Sequence, residues 1–315
     1  MKIKLLILSV LLLLTGGFFI FSGGEEPDEG PDIRMREPAN YETESVLERK
    51  RGVSPPEIEA EAVYAVYLEG EDKEVLFSRN RNASLPIASL TKLVTALVVY
   101  ENLNLDEPIG IPDSDLFTDA HLRDLRVFPE TTFGELLYPL LLESNNSSAY
   151  AAATAETDFD DFMSFMNQKA DRLGMRQTHF YNPSGLDNIR GVNRSSPRDL
   201  VKLTERILEI PLFWEIMRRP TYNITSRSSD LHYRVETTNQ FLDGSYFGFI
   251  APEWLSDIKG GKTGFTYRAG GTLLMVLEPE EGSYLIYVIL GSEGHNERFE
   301  EMEKLINWTY KAYKI

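Results

Sequence analysis

Three short stretches of the chain carry side chains whose types and spacing could do chemistry together. The first is Ser89-Leu90-Thr91-Lys92, which follows Leu85-Pro86-Ile87-Ala88 and opens an apolar helical pattern. On a helix, positions i and i+3 project from one face, so the Ser89 hydroxyl and the Lys92 amine can touch. A serine hydroxyl is a poor nucleophile until a neighbouring base takes its proton. A lysine can be that base if burial or a nearby cation favours its uncharged form. The start of a helix adds unpaired backbone N–H groups and a dipole that suits developing negative charge. Alone, the pattern is weak. Roughly one S-x-x-K is expected by accident in a chain this long at average residue frequencies, and an isolated Ser89 reads as a helix cap. The chain even holds a decoy, Ser256-Asp257-Ile258-Lys259, followed by two glycines and poorly placed to open a helix.

The second stretch, Ser144-Asn145-Asn146, falls at a break between two helical patterns. In isolation it reads as a cap with an Asx turn. The third is Gly260-Gly261-Lys262-Thr263-Gly264-Phe265-Thr266. Glycines beside a lysine at the start of a strand let backbone approach a ligand closely, although a turn entering a strand would look the same. It is not a phosphate loop, because the G-x-x-x-x-G-K-[ST] spacing is absent.

Composition narrows the chemistry available. The 315 residues include no cysteine, which removes disulfides, thiolate zinc sites, iron–sulfur clusters and a cysteine nucleophile together. The four histidines (His121, His179, His232, His295) lie far apart, with no H-E-x-x-H pair to hold a catalytic zinc. Hydrolytic chemistry must then rest on Ser, Thr, Lys or carboxylates. With 32 basic against 49 acidic side chains, the net charge of −17 speaks against nucleic acid as a partner. Hydrophobic content of 42% is that of a globular protein with a sizeable core.

The elements that must position these residues follow from the pattern. Lys2 and Lys4 precede an uncharged apolar run at 5–22. Eighteen helical residues span roughly 27 Å, close to a bilayer core, so residues 1–24 read as an uncleaved membrane anchor in preference to a cleaved signal segment. Lysines before the run and acids after it place the N-terminus in the cytoplasm and everything downstream outside. Residues 25–59, rich in acids and proline, read as a flexible stalk. The folded domain is expected over 60–315. Residues 62–68 and 75–77 form one hairpin pattern, and 273–277 with 284–290 a second. Helical patterns lie between them at 90–102, 133–142, 144–156, 159–173 and 198–209, and a last one covers about 297–314. Strands from both ends with helices between predict an α+β fold, mixed α/β in looser usage: one antiparallel sheet built from the two termini, flanked by helices, with an inserted helical region.

The three motifs occurring in order, each in a suitable context, are similar to those of the serine penicillin-binding proteins. Most closely, the chain resembles the low-molecular-weight D-alanyl-D-alanine carboxypeptidases of peptidase family S11. The likeness extends to Met166-Asn167-Gln168-Lys169-Ala170, Leu173-Gly174-Met175, Thr178, Phe180, Asn182-Pro183-Ser184-Gly185-Leu186, Arg198-Asp199-Leu200 and Thr238-Asn239. It runs from about residue 60 to the C-terminus and implies a β-lactamase/transpeptidase-like fold. The chain departs from the family at Ser147-Ser148-Ala149, where Asp-Ala-Ala is usual, at Gly261, which replaces an apolar residue, and at Gln240, where some members carry an arginine.

The resemblance implies a mechanism. Ser89 would attack a D-Ala–D-Ala peptide bond with Lys92 as base, Ser144 would relay the proton to the leaving amine, and Asn146 would hold Lys92 and the substrate amide. Lys262, Thr263 and Gly264 would form the strand motif that binds the terminal carboxylate, with Arg298 near that carboxylate or, equally, an exposed helix arginine. Backbone N–H groups of Ser89 and Phe265 would form the oxyanion hole. No metal or organic cofactor is required. The implied partners are peptidoglycan stem peptides, β-lactams as covalent inhibitors and the membrane through the N-terminal segment. An endopeptidase or β-lactamase on the same scaffold and a non-catalytic sensor of D-Ala–D-Ala ends are the competing readings. The absence of a Glu-x-x-Leu-Asn segment after the second motif counts against the β-lactamase, and the nucleophile–base pair against the sensor.

Overall fold

A computed structural model describes residues 46–109, 131–228, 230, 232–246 and 252–315. The apolar run at 5–22 and the acidic residues up to 45 lie outside the described residues. Strands β1 (Ala62–Glu69) and β2 (Asp72–Arg79) make the expected first hairpin, and the two-residue strand β3 (Leu85–Pro86) leads into a 3₁₀ turn (Ala88–Thr91) and helix α1 (Lys92–Asn102). Helix α2 (Phe133–Tyr138) runs into a π turn (Pro139–Glu143), followed by α3 (Asn146–Thr154) and α4 (Phe159–Arg172). Then come β4 (Arg194–Ser195), α5 (Pro197–Leu208), α6 (Pro211–Met217), β5 (Thr221–Thr225), β6 (His232–Glu236) and the short α7 (Gln240–Asp243). Strands β7 (Ile258–Thr266), β8 (Gly270–Leu277) and β9 (Ser283–Ser292) precede the last helix, α8 (Glu297–Ala312).

The main sheet has the order β2-β1-β9-β8-β7, with every pair antiparallel. Strand β1 therefore lies beside β9, with Ala62 opposite Leu290 and Glu69 opposite Ser283, so the two ends of the domain share one sheet as expected. Successive side chains of a strand point to opposite faces, and here both faces are covered. Tyr64, Val66, Val276, Ile286 and Val288 pack with helices α1 to α6, whereas Val63, Ala65, Met275, Tyr287 and Ile289 pack with Phe299, Met302, Leu305 and Ile306 of α8. Burial on both sides is why these strands read as near-continuous apolar runs.

Three features differ from the sequence expectation. The packed fold begins ahead of residue 60: Leu47 and Ile58 are buried in the α8 layer, Arg49 bridges to Tyr313, and the N–H groups of Glu59 and Ala60 both donate to Glu301 Oε1 at 2.7 Å. Two apolar anchors among prolines and acids carry no periodic signal, so this strap looks like stalk in the sequence. Helix α6 is too short to show a helical period. The β5–β6 hairpin buries only Ile224 and Val235 in its strands, too few to show as alternation.

Candidate active site

The Ser89 side of the site is set by a tight turn. Ala88 takes a left-handed backbone (φ 46°), and the 3₁₀ turn that follows delivers Ser89 and Lys92 to the same side. A non-glycine residue in this region costs on the order of 1–3 kcal/mol and persists where the surroundings hold it. Gly185 (φ 86°) helps to hold it: a Cβ there would lie 1.9 Å from the Ala88 carbonyl oxygen, so only glycine lets that loop approach. Lys92 is wholly buried, and its Nζ lies 2.9 Å from Ser89 Oγ, 2.8 Å from Asn146 Oδ1 and 2.7 Å from the Ser184 carbonyl oxygen.

Burial pushes the Lys92 amine down from an ordinary 10.5 to about 7. Its three neighbours then decide what the neutral form does. The amide oxygen and the carbonyl oxygen can only accept, so they take the two remaining N–H groups. The nitrogen lone pair is left facing Ser89, whose O–H becomes the donor. That is the arrangement a base needs.

Across the cleft, Ser144 closes the π turn with a left-handed backbone (φ 62°). Asn145 does the capping foreseen for this segment, its Oδ1 accepting from Ser148 N at 2.9 Å, while Asn146 opens α3 and turns to Lys92. Lys262 Nζ donates to Ser144 Oγ at 2.8 Å and to the Thr263 carbonyl at 2.9 Å. Burial, with the Lys92 and Arg298 charges added, holds the Lys262 amine well below its ordinary value.

The Lys262–Thr263–Gly264 motif lies inside β7 and not at the start of a strand as the glycines suggested. Strand β7 is the edge of the sheet, so one row of its backbone groups has no strand partner. A Cβ on Gly264 would sit 2.9 Å from Ser89 N and 2.4 Å from Thr272 Oγ1, so β7 runs directly against the turn that carries Ser89. Gly261 is required for a different reason: a Cβ there would lie 2.5 Å from Met275 Sδ and 2.6 Å from the Leu274 carbonyl oxygen of β8.

Arg298 is not an exposed helix arginine. It is buried, donates from Nη1 to the Gly264 carbonyl at 2.6 Å, and is pushed down to about 10 by burial. Phe265 stacks its ring on His295 with centroids 3.8 Å apart, and burial followed by the Arg298 charge lowers the His295 pKa. Thr263 Oγ1 lies 2.6 Å from Thr238 Oγ1.

The structure thus gathers Ser89, Lys92 and Asn146 into one hydrogen-bonded group, and Ser144, Lys262 and Thr263 into a second whose lysine feels the charge of the first. The decoy falls away: Ser256 bonds to Glu253 O and Asp257 Oδ1 in a 3₁₀ turn, and Lys259 pairs with Glu278. Sequence reasoning missed Ser184 and Thr238 as members of the site. Ser184 contributes only its carbonyl, which has no side-chain signature, but the Asn-Pro-Ser-Gly run was its available signal. Among the described residues no group of three or more His, Asp or Glu side chains could hold a metal ion, and no helix is long and apolar enough to cross a membrane.

Comparison with known proteins agrees with this geometry. The family profile of D-alanyl-D-alanine carboxypeptidase, Peptidase_S11, matches residues 49–294. A D-alanyl-D-alanine endopeptidase of Pseudomonas aeruginosa is 31% identical over 239 residues, covering 75% of this chain and 73% of that protein. D-alanyl-D-alanine carboxypeptidase DacB2 of Mycobacterium tuberculosis is 28% identical, covering 75% and 78%. Among solved structures, the cefotaxime-bound form of penicillin-binding protein D2 from Listeria monocytogenes superposes with a TM-score of 0.66 at 28% identity, covering 82% of this chain and 99% of that one. The Streptomyces K15 DD-transpeptidase does so at 0.70 and 26%, covering 82% and 100%. The profile match spans well over half of the residues, and Ser89 and Lys92 sit inside it: this chain belongs to the D-alanyl-D-alanine carboxypeptidase family of serine peptidases.

Proposed function

We propose that the protein is a serine D-Ala–D-Ala carboxypeptidase that removes the terminal D-alanine from peptidoglycan stem peptides. The observation that carries this reading is the buried Lys92 amine, its two N–H groups committed to Asn146 and Ser184 and its lone pair facing Ser89. As Ser89 Oγ bonds to the scissile carbonyl carbon, its proton passes to Lys92. The carbonyl oxygen, now negative, is received by the Ser89 and Phe265 N–H groups, donors typically worth about 10²–10³ in rate each. The C–N bond breaks as Ser144, held by Lys262, passes its hydroxyl proton to the leaving D-alanine amine and takes in its place the proton that Lys92 received from Ser89, which leaves Lys92 neutral again. Water then enters and gives a proton to Lys92 as its oxygen bonds to the acyl carbon; that proton returns to Ser89 Oγ as the ester C–O bond breaks, restoring both groups. The Arg298 guanidinium, with Lys262 and Thr263 beside it as hydrogen-bond donors, forms the end that holds the substrate's carboxylate in an otherwise acidic protein. A β-lactam, with its own carboxylate and strained amide, would acylate Ser89 in the same way; the β-lactam-bound relatives support this.

A second reading, cleavage of cross-links, is favoured by the endopeptidase among the similar proteins. It is the same reaction on a longer substrate. Incubation with purified muropeptides separates the two: the carboxypeptidase reading expects free D-alanine from monomeric pentapeptides, and conversion of cross-linked dimers to monomers without D-alanine release would overturn it in favour of the endopeptidase.

We also propose that residues 1–24 anchor the chain in the cytoplasmic membrane, with the catalytic domain on the outer side. The uncharged run at 5–22, preceded by Lys2 and Lys4, supports this. Fractionated cells should hold the full-length chain in the membrane, released by protease added outside; a shortened chain in the medium would mean cleavage instead.

A further inference from the structure

We infer that Asn193 is a positioning residue for the base Lys92, acting through the carbonyl of Ser184. The inference rests on the reading that Lys92 takes the Ser89 proton. It begins from a limit on that base. Two fixed N–H directions on an amine fix its lone pair, and one of the two acceptors is a backbone carbonyl whose aim depends wholly on the path of the loop that carries it.

That path is held by two buried asparagines. Asn193 uses its whole amide: Nδ2 donates to Thr91 Oγ1 (3.0 Å) and to the Asn182 carbonyl (2.7 Å), while Oδ1 accepts from the N–H groups of Tyr181 (2.7 Å) and Asn182 (3.2 Å). Two donors and two lone pairs are the full capacity of this side chain. Its own backbone carbonyl accepts from Ile87 N at 3.2 Å. Asn193 therefore joins the loop to both ends of the turn that carries Ser89. Asn182 shapes the next step, with Oδ1 accepting from Ser184 N (3.2 Å) and Gly185 N (2.7 Å) and Nδ2 donating to the Leu186 carbonyl (2.9 Å). The result aims two consecutive carbonyls at α1: Pro183 O receives Thr95 Oγ1 at 2.6 Å, and Ser184 O receives Lys92 at 2.7 Å.

Without the Asn193 amide the loop loses its side-chain ties to Thr91 and to the backbone of Tyr181 and Asn182; what remains, at Thr95, at Lys92 itself and at the Asn167 amide on Phe180, holds the Ser184 carbonyl less firmly. The amine can then turn about its Cε–Nζ bond, and its lone pair leaves Ser89. A purely structural asparagine would cost stability alone. A positioning asparagine also changes the titration of the base, because a lost acceptor withdraws support from the ammonium form and lowers its pKa. The other groups that face Lys92 are the uncharged Ser89 and Asn146 and, across the cleft on β7, Lys262, whose amine burial and the charges of Lys92 and Arg298 hold well below its ordinary value.

The test uses the purified protein and a fluorescent penicillin, with the binding constant and the acylation rate constant measured separately across about pH 5–9, a span centred on the working range of such a base. Asn193→Ala is expected to slow acylation about tenfold to a hundredfold, the cost of a misplacement near 1 Å, with little change in binding and with the acid limb moved to lower pH. Thr95→Val, an isosteric change that releases the Pro183 carbonyl, should shift both in the same direction by a smaller amount and decides the matter if Asn193→Ala does not fold. Acylation within about twofold of the parent in the folded variants, or a loss with the acid limb unmoved, would overturn the inference. A parent protein that is itself not acylated would instead overturn the catalytic reading on which it stands.

Discussion

Ser89→Ala is expected to abolish covalent labelling by a fluorescent penicillin while leaving the fold intact. Among the described residues no other hydroxyl is equipped to take over. Ser144 is the next candidate by chemistry, but it sits in a left-handed turn across the cleft and its Oγ accepts from Lys262, whereas the hydrogen bonds of Lys92 go to Ser89, Asn146 and Ser184. Ser184 points its hydroxyl at Asn182 Oδ1 and offers Lys92 only its carbonyl. Removing one hydroxyl outside the core is typically worth within about 0.5 kcal/mol of stability, so loss of labelling could not be blamed on unfolding, and the melting temperature checks this. Labelling of Ser89→Ala at the parent rate would place the nucleophile elsewhere.

Lys92→Ala is expected to slow acylation by about 10²–10⁴, the usual worth of a positioned general base. In the parent protein the rate should fall as pH drops through about 7, because the lone pair that receives the Ser89 proton is lost when Lys92 binds a proton of its own. The variant should lose this acid limb. A loss of tenfold or less, or an acid limb that survives in Lys92→Ala, would remove Lys92 from the base role.

The same buried amine makes a second, independent readout. Its pKa is about 7 folded and 10.5 when free, so between these values the unfolded chain binds a proton that the folded one does not. Stability attributable to this group therefore rises with pH across that window. The parent should gain stability relative to Lys92→Ala as pH is raised from about 7 towards 10.5, which denaturant melts at several pH values would reveal. An unchanging difference would mean that Lys92 titrates normally in the folded protein.

How much of this was legible beforehand depends on how local each feature is. Ser89 and Lys92 declare themselves because one helical turn brings them together, and the two hairpins declare themselves through apolar runs that the sheet then buries on both faces. The contact between Ser144 and Lys262 spans 118 residues, and only the resemblance to a known family joined them. Lys262 was expected at the start of a strand because Gly260 and Gly261 look like a turn. In the fold Gly260 lies where β7 shifts register against β8, with Met217 of α6 3.0 Å from where a Cβ would sit, and Gly261 approaches β8 too closely for a side chain. Asn193 is a polar residue in an irregular segment that in sequence looks like ordinary loop, and Thr238 stands out only through the family resemblance. Their importance comes from burial and from partners far along the chain. The strap at 46–59 looks like stalk in sequence for a related reason: besides Leu47 and Ile58 it is held through backbone N–H groups that meet a carboxylate on α8, and backbone groups leave no mark in a sequence.

The most direct measurement is mass spectrometry of the intact protein after incubation with benzylpenicillin, followed by digestion. The account predicts a single adduct with the mass of one intact penicillin, carried by the peptide that contains Ser89. An unmodified protein, or an adduct on any other peptide, would contradict it.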